Sequence, residues 1–172
     1  MILAFDTYYV DDKAKTVCVS FENWSDARPK NIDSEIIAGI SDYEPGAFYK
    51  RELPCILSLL KRFNASEIEF IVVDGYVVLN DEGKLGLGGY LFEKLNHEIP
   101  VIGVAKSKFH SNNTCSKELL RGVSKNPLYI SASGVALDKA HECIKSMHGG
   151  YRIPTLLQLL DAKTKEKVGD TL

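Results

Sequence analysis

The chain has 172 residues and a formal net charge of -2, from 21 lysines and arginines against 23 acidic residues. Its 45% hydrophobic and 26% charged fractions are those of a globular protein of one domain, which excludes a disordered or fibrous chain. No apolar stretch approaches the roughly 18–20 residues that cross a bilayer, and no basic segment precedes the apolar residues 2–5. We therefore expect no membrane span, no membrane partner and no signal peptide.

The four cysteines are scattered, without a CxxC pair or a zinc-finger histidine. Isolated thiols of this kind predict reduced side chains and a cytoplasmic protein. A nearly neutral chain can still bind nucleic acid, provided that its basic residues share one face.

The first forty residues predict three strands, at 2–5, 16–21 and 35–40. Because these segments are close in sequence and have polar connections, an antiparallel meander is expected. Beyond Pro45 and Gly46, apolar residues recur at helical spacing from Leu53 to Phe63, with Pro54 in the first turn.

A strand at 68–73, a helix from Tyr90 to Leu95 and a strand at 101–104 follow, and this order predicts parallel strands with right-handed crossovers. A short strand at 128–131 and helices at 135–147 and 155–161 complete the chain. The prediction is an α/β fold: a mixed sheet, with an antiparallel meander followed by parallel crossover strands, flanked by helices. Residues 1–172 form a single domain in this interpretation.

Two of these strands end in an aspartate, Asp6 after Leu3-Ala4-Phe5 and Asp74 after Ile71-Val72-Val73. If the strands are parallel neighbours, both carboxylates enter one cleft, where their repulsion favours a divalent cation such as Mg²⁺. The alternative is that each aspartate only caps the turn after its strand. A third acid, Glu52, begins the following helix, where it either complements the helix dipole or binds at the same centre.

Basic residues dominate the segment from 101 to 125, which contains Lys106, Lys108, Lys117, Arg121 and Lys125 against the single acid Glu118. This asymmetry predicts a face that contacts phosphates, with Lys106 at the end of a buried strand and beside the carboxylates. The alternative for these residues is a solvated loop. Tyr43 lies in a turn, where it either stacks on bases or packs over a helix, and Gly149-Gly150-Tyr151-Arg152 is either a helix cap or a close approach to a planar ligand.

Six segments together resemble the endonuclease V (deoxyinosine 3′ endonuclease) family, and they occur in the family's order. They are AFDTYY at 4–9, YEPGAFYKRELP at 43–54, IVVDG at 71–75, IPVIGVAKS at 99–107, PLYIS at 127–131 and GYRIP at 150–154.

The resemblance implies a ribonuclease H-like fold and a divalent-metal-dependent hydrolysis of a phosphodiester near inosine. It also implies a role for each matching residue. Asp6 and Asp74 resemble the metal-binding aspartates, Glu52 a third catalytic acid, and Lys106 a lysine near the scissile phosphate. Tyr43 matches a strand-separating aromatic, and Gly150, Tyr151 and Arg152 match a segment beside the base pocket.

Two departures from the family pattern accompany these matches. Residues 76–82 lack the usual His-Pro-Arg stretch and carry Asp81 and Glu82 instead, which would repel a phosphate. Residues 131–135 lack the usual Gly-His pair and contain Ser131 and Ser133. A weaker metal site follows from the loss of an imidazole, so the sequence predicts a divergent member of the family with reduced or lost activity.

We predict an Mg²⁺-dependent endonuclease, with Mn²⁺ able to substitute, that acts as a monomer on inosine-containing DNA or RNA. Asp6 and Asp74 hold the metal in this prediction, Glu52 and Lys106 assist catalysis, and Tyr43, Lys108, Gly150, Tyr151 and Arg152 bind nucleic acid. Two alternatives remain: a non-catalytic nucleic-acid-binding module of the same fold, and a nuclease without base preference.

Overall fold

The computed structural model describes residues 1–40, 42 and 44–167. Three strands open the chain, β1 (Ile2–Val10), β2 (Lys13–Phe21) and β3 (Asn31–Ala38), and each pairs antiparallel with the next. The predicted meander is therefore confirmed. β1 continues to Val10, past its apolar start, because residues 7–10 pair with residues 13–16 across a turn at Asp11 and Asp12.

The crossover half of the fold follows the predicted order. α1 (Tyr49–Leu60) and the short 3-10 turn Ala65–Glu67 lead to β4 (Phe70–Asp74), and α2 (Leu87–Lys94) leads to β5 (Val101–Ala105). β4 lies parallel to both β1 and β5. The prediction that Pro54 lies in the first turn of its helix is wrong, because α1 begins at Tyr49 and Pro54 is inside it.

Two antiparallel strands then extend the sheet, β6 (Lys117–Leu119) and β7 (Leu128–Ser133), with β7 between β5 and β6. β6 was not predicted, because a segment of three residues has no readable period and forms only through its pairing with β7. The helices α3 (Leu137–Lys145) and α4 (Thr155–Lys165) end the described chain.

The seven strands form one mixed sheet in the order β3-β2-β1-β4-β5-β7-β6. One face packs against α3 and α4, with Ile2, Val72, Ile102 and Ile144 in its core. The other face packs against α1 and α2, with Leu3, Phe5, Ile71 and Leu91 in its core. These layers confirm the predicted α/β class. None of the helices that the structure describes is long and apolar enough to cross a membrane.

Parallel pairing decides where polar side chains meet. β1, β4 and β5 are neighbours and run in one direction, so their carboxyl ends lie at the same edge of the sheet. In open α/β sheets this edge is where ligands bind. α4 packs across β1 and β2 on one face, and α1 packs against β1 and β2 on the other, so that both helices border this edge.

Candidate active site

Asp6, Asp74 and Lys106 meet where β4 and β5 end, and Asp6 lies in β1 just past the residues that pair with β4, because β1 itself continues to Val10. Asp74 is the last residue of β4, and Lys106 directly follows β5. The Nζ atom of Lys106 donates a hydrogen bond to Oδ2 of Asp74 over 3.0 Å. The side chains of Lys106 and Asp74 are 42% and 34% exposed, so this ion pair faces solvent and a bound substrate could compete for it.

A fourth residue, Asp161, joins this group from α4. Its Oδ1 atom lies 4.0 Å from Nζ of Lys106, and its Oδ2 atom accepts a hydrogen bond from Nζ of Lys165 over 2.8 Å. The sequence analysis missed Asp161 because helical periodicity alone predicts only a solvent-facing acid near the end of a helix. We call Asp6, Asp74, Lys106 and Asp161 together the acidic centre.

Asp6 is the most enclosed carboxylate of the acidic centre. Its Oδ1 atom accepts a hydrogen bond from the Thr7 N–H over 2.8 Å, and its Oδ2 atom lies 3.5 Å from the Thr164 hydroxyl. Burial, followed by the negative charge of Asp74, raises the pKa of Asp6 to about 6. A carboxylate that only capped a turn would be stabilised in its ionised form, so this shift favours the functional interpretation of Asp6.

Glu52 lies in the first turn of α1, on the opposite side of the sheet edge from α4. Burial and the charges of Asp6 and Asp74 raise the pKa of Glu52 to about 8. A helix N-terminus lowers the pKa of a carboxyl group, so burial and repulsion outweigh the helix dipole here. Next to it, the Arg51 guanidinium carbon lies 4.1 Å from the centroid of the Tyr9 ring.

The chemistry of these donors fits a hard divalent cation, although the acids do not form a preorganised cluster. Burial, followed by repulsion from nearby acids, raises the pKa values of Asp6 and Glu52, and a cation would relieve the repulsion. Mg²⁺ is commonly held by one or two carboxylates with several waters. Within residues 1–40, 42 and 44–167, however, no group of three or more His, Cys, Asp or Glu side chains is arranged to hold a metal ion.

The residues predicted to bind nucleic acid lie in different places. Lys108 is exposed in the loop after β5, and Tyr151 is 73% exposed beside Gly150, in a groove that also includes Val123 and Gln158. The Arg152 guanidinium donates to the main-chain oxygens of Lys106 and Pro127, so it holds the end of β5 in place. Tyr43 lies outside the described residues.

The two departures from the family pattern have structural roles. Asp81 accepts hydrogen bonds from the main-chain N–H groups of Asn113 and Thr114, which hold its pKa at about 2. Its charge is thus partly offset by the loop it binds, which reduces the predicted repulsion of phosphate. Ser131 is fully buried and accepts a hydrogen bond from the Val77 N–H over 2.9 Å, so it packs in the sheet as a structural residue.

Solved structures of known proteins share this architecture. The structure of Streptomyces avermitilis endonuclease V has a TM-score of 0.72 and 22% identity, covering 95% of this chain and 79% of that chain. The catalytic domain of human endonuclease V has a TM-score of 0.76 and 20% identity over 95% and 80%. Ciona intestinalis endonuclease V, in complex with a 24-mer DNA containing an inosine followed by a ribo-adenosine, has a TM-score of 0.78 and 18% identity over 95% and 84%.

A more distant likeness identifies the class of fold. Marinitoga piezophila Argonaute, in complex with guide RNA and target DNA, has a TM-score of 0.55 and 11% identity over 99% of this chain and 30% of that chain. The mixed sheet and these likenesses define a ribonuclease H-like fold.

The family follows from the sequence itself. The sequence model described as endonuclease V matches residues 1–162, and the chain belongs to the endonuclease V family, a family of nucleases. The resemblance inferred from six segments is thereby confirmed. No curated protein sequence matched the chain.

Proposed function

We propose that the protein is a divalent-metal-dependent endonuclease that hydrolyses a phosphodiester near inosine in DNA or RNA. The observation that carries this proposal is the convergence of Asp74 and Lys106 at the ends of β4 and β5 with Asp6 from β1 and Asp161 from α4. Repelling carboxylates next to a lysine suit a reaction in which a cation and a phosphate enter the same cleft.

Asp6 and Asp74 would hold the cation in this proposal. When bound there, the ion supplies Lewis-acid polarisation of the phosphate and acidifies a water molecule. Lys106 exchanges its bond to Asp74 for a phosphate oxygen and stabilises the negative charge that develops there. The Asp161 carboxylate lies 4.0 Å from the Lys106 ammonium and keeps that ammonium beside the cleft. Glu52, on the other side of the cleft, orients the attacking water.

The proposed substrate is an inosine-containing strand of DNA or RNA. The support for it is membership of the endonuclease V family, together with the inosine-containing DNA bound by the Ciona intestinalis relative. We further propose that Lys108, Gly150, Tyr151 and Arg152 face the nucleic acid, as does Tyr43, and that the protein acts as a cytoplasmic monomer. We propose no membrane partner for the protein.

A second candidate function is a nucleic-acid-binding module with weak or no catalysis. The observation that favours it is that Lys106 pairs with Asp74, one of the two aspartates proposed to hold the cation. In addition, no group of three or more His, Cys, Asp or Glu side chains among the described residues is arranged to hold a metal ion. The loss of two family histidines from the sequence agrees with this alternative. The two candidates differ in their response to metal.

The decisive measurement is cleavage of inosine-containing and unmodified oligonucleotides, as both DNA and RNA, in Mg²⁺, Mn²⁺ or EDTA. We expect metal-dependent nicking near inosine, and a loss of at least ~100-fold in rate for Asp74→Asn and for Lys106→Ala, since each removes charge stabilisation from the reaction. Asp138→Asn is the matched control, because Asp138 is 86% exposed on α3. This helix packs against β6 and β7, at the edge of the sheet farthest from β3.

The same assay separates the alternatives. Cleavage of all four substrates at one rate would replace the inosine preference with a general nuclease activity. Metal-independent binding without cleavage, over a wide range of enzyme and metal concentrations, would establish the non-catalytic module and refute the proposed hydrolysis.

A further inference from the structure

A second groove lies on the α4 face of the sheet, where the end of α4 crosses the β1–β2 hairpin. We call it the hairpin groove, and it has a volume of about 240 Å³. Its walls come from β1, β2, β3 and the end of α4, with the lining residues Tyr8, Val10, Asp11, Lys13, Lys15, Ile36, Thr164, Lys165, Glu166 and Lys167. Lys108, Gly150, Tyr151 and Arg152, which the sequence predicts to bind nucleic acid, do not line it.

The hairpin groove adjoins the acidic centre, and Thr164 and Lys165 lie between the two. Thr164 lines the groove, and its hydroxyl lies 3.5 Å from Oδ2 of Asp6. Lys165 also lines the groove, and its Nζ atom donates to Asp161 over 2.8 Å. Side chains two residues apart on a strand share a face, so Tyr8 and Val10 extend the row that begins at Asp6. A linear polymer bound at the acidic centre can therefore extend into the hairpin groove.

The charge of the groove is positive. Four lysines line it, Lys13, Lys15, Lys165 and Lys167, against the two acids Asp11 and Glu166. The Glu166 carboxylate is paired with Lys163 and the Lys165 ammonium with Asp161, each over 2.8 Å, which leaves Lys13, Lys15 and Lys167 against Asp11. Lys15 donates to the main-chain oxygen of Glu166 over 2.9 Å, which fixes its ammonium group against the groove wall without neutralising it. The excess of lysine complements a polyanion.

The floor of the groove carries apolar surface that the fold leaves open. Tyr8, Val10 and Ile36 are 42%, 54% and 40% exposed. An exposed aromatic ring between lysines is the combination with which proteins hold single-stranded nucleic acid, since bases stack on the ring and cations follow the backbone. An acidic peptide would use the lysines but would gain less from the ring.

We propose that the hairpin groove binds the single-stranded nucleic acid that flanks the cleavage site, with a base on Tyr8 and phosphates at Lys13 and Lys167. The proposal rests on the proposed function for its register, because that function places the scissile phosphate at the acidic centre. It adds a second contact region, and it makes affinity depend on the length of the strand on one side of the cleavage site.

The test compares the salt dependence of binding for two double variants. Lys13→Gln/Lys167→Gln removes two exposed groove lysines, and Lys61→Gln/Lys94→Gln removes two exposed lysines from the ends of α1 and α2 on the opposite face. Binding of single-stranded DNA and RNA of one sequence is measured in EDTA over a range of salt concentrations. The loss of two phosphate contacts should reduce the slope of log K against log[salt] by about 1.4. The control variant should keep the slope of the unmodified protein.

The aromatic contact is tested separately by Tyr8→Ala and Tyr8→Phe. Loss of one stacked base should weaken binding about tenfold in Tyr8→Ala, while Tyr8→Phe should bind like the unmodified protein. Removing nucleotides from one flank of the oligonucleotide should weaken the unmodified protein more than Tyr8→Ala, because the variant has already lost the stacking contact and retains only the lysine contacts to that flank.

The outcomes distinguish this inference from the proposed function. An unchanged salt slope in Lys13→Gln/Lys167→Gln overturns the groove, even if the protein cleaves inosine-containing strands. A reduced slope in a protein that does not cleave supports the groove and refutes the endonuclease. If the groove binds another ligand, the two double variants would have equal slopes of log K against log[salt]. Failure of the protein to bind either DNA or RNA overturns the inference.

Discussion

Asp6 and Glu52 are carboxyl groups in an unfavourable setting, because each is shielded from water and surrounded by other acids. The pKa of Asp6 rises to about 6 and that of Glu52 to about 8, and burial is the larger cause in both. At neutral pH these two carboxyl groups therefore ionise less readily in the folded chain than in the unfolded chain. These two residues link the chemistry of the site to the stability of the fold.

The stability of the metal-free protein should fall as pH rises from about 4 to about 8. Both folded pKa values lie above the unfolded values of 3.8 and 4.5, so the folded state binds more protons in this window. Glu52→Gln should remove part of the dependence and raise the free energy of unfolding at pH 8 by on the order of 2 kcal/mol. Urea denaturation at several pH values, in EDTA, measures this.

Glu98→Gln is the matched control for this prediction, because Glu98 is exposed in the connection between α2 and β5. It should follow the unmodified protein at every pH. A Glu52→Gln protein with the same pH dependence as the unmodified chain would contradict the raised pKa of Glu52.

At the scale of elements, the turn after β4 and the strand β5 are packed without spare room. A methyl group at Gly103 would lie 2.5 Å from the Gly75 oxygen, 2.8 Å from Oγ of Ser131 and 2.9 Å from the Val77 nitrogen. Two of these atoms belong to the main chain and cannot rotate away. Asp74 immediately precedes this turn, so its position depends on the same packing.

Gly103→Ala should therefore destabilise the protein by about 1–3 kcal/mol, since overpacking forces the main chain of the turn to shift. It should also reduce cleavage, because the shift moves Asp74 away from Lys106. Gly150→Ala is the control for stability, because a methyl group there meets nothing within 4 Å and the change should be within about 0.5 kcal/mol. Equal free energies of unfolding for the two variants would contradict this account.

Asp81 holds together two loops of the protein. Its carboxylate joins the 76–86 segment, which follows β4, to the loop at 111–115 through hydrogen bonds of 2.8–3.1 Å from two consecutive main-chain N–H groups. The hydroxyl of Thr114 adds a further bond over 2.9 Å. Asp81, in the segment that lacks the family's usual His-Pro-Arg stretch, thus makes a contact between loops.

Asp81→Asn should loosen this connection and speed hydrogen exchange at Asn113 and Thr114, while Glu82→Gln should leave that exchange unchanged. Because the folded pKa of about 2 lies below the ordinary 3.8, the ionised carboxylate stabilises the fold above about pH 4. This stabilisation is lost as pH falls through 2. The difference in Tm between Asp81→Asn and the unmodified protein should accordingly shrink towards pH 2, and a constant difference would argue against the ionised contact.

On the scale of the whole molecule, the net charge of -2 is a sum of separated parts. Acids gather at the sheet edge around Asp6, while lysines line the hairpin groove and continue along the loop after β5. A nearly neutral protein can hold a polyanion in this way, because the local field depends on the arrangement of charges.

If the proposed site binds Mg²⁺, the ion should stabilise the whole fold, since only the folded chain brings Asp6 and Asp74 together. At a concentration of about 100 times Kd, the expected gain is about 2.7 kcal/mol, and it should be largest near pH 8. Differential scanning calorimetry in MgCl₂, against NaCl of equal ionic strength, measures the rise in Tm. Asp6→Asn and Asp74→Asn should show no such rise, and an equal rise in either variant would exclude these two residues as the metal site.

Local sequence determined most of the elements of this protein. Apolar runs of four to six residues before Asp6 and Asp74 predicted β1 and β4, and helical spacing around Ile56 predicted α1. These signals depend on neighbours along the chain. β6 and the last turn of α4 had no comparable signal, because β6 depends on its partner strand and the last turn of α4 depends on its packing over β1.

By itself, the sequence determined the α/β class, the family, and the neighbourhood of Asp6, Asp74 and Lys106, because strand-end acids and ordered motifs are properties of the linear chain. Only the tertiary structure brought Asp161 to Lys106, gave Asp81 its partners in a distant loop and built the hairpin groove from four elements. The physical reason is that these features arise between segments up to 158 residues apart, as with Thr164 and Asp6. Such distances along the chain are closed only when the sheet and its helices pack.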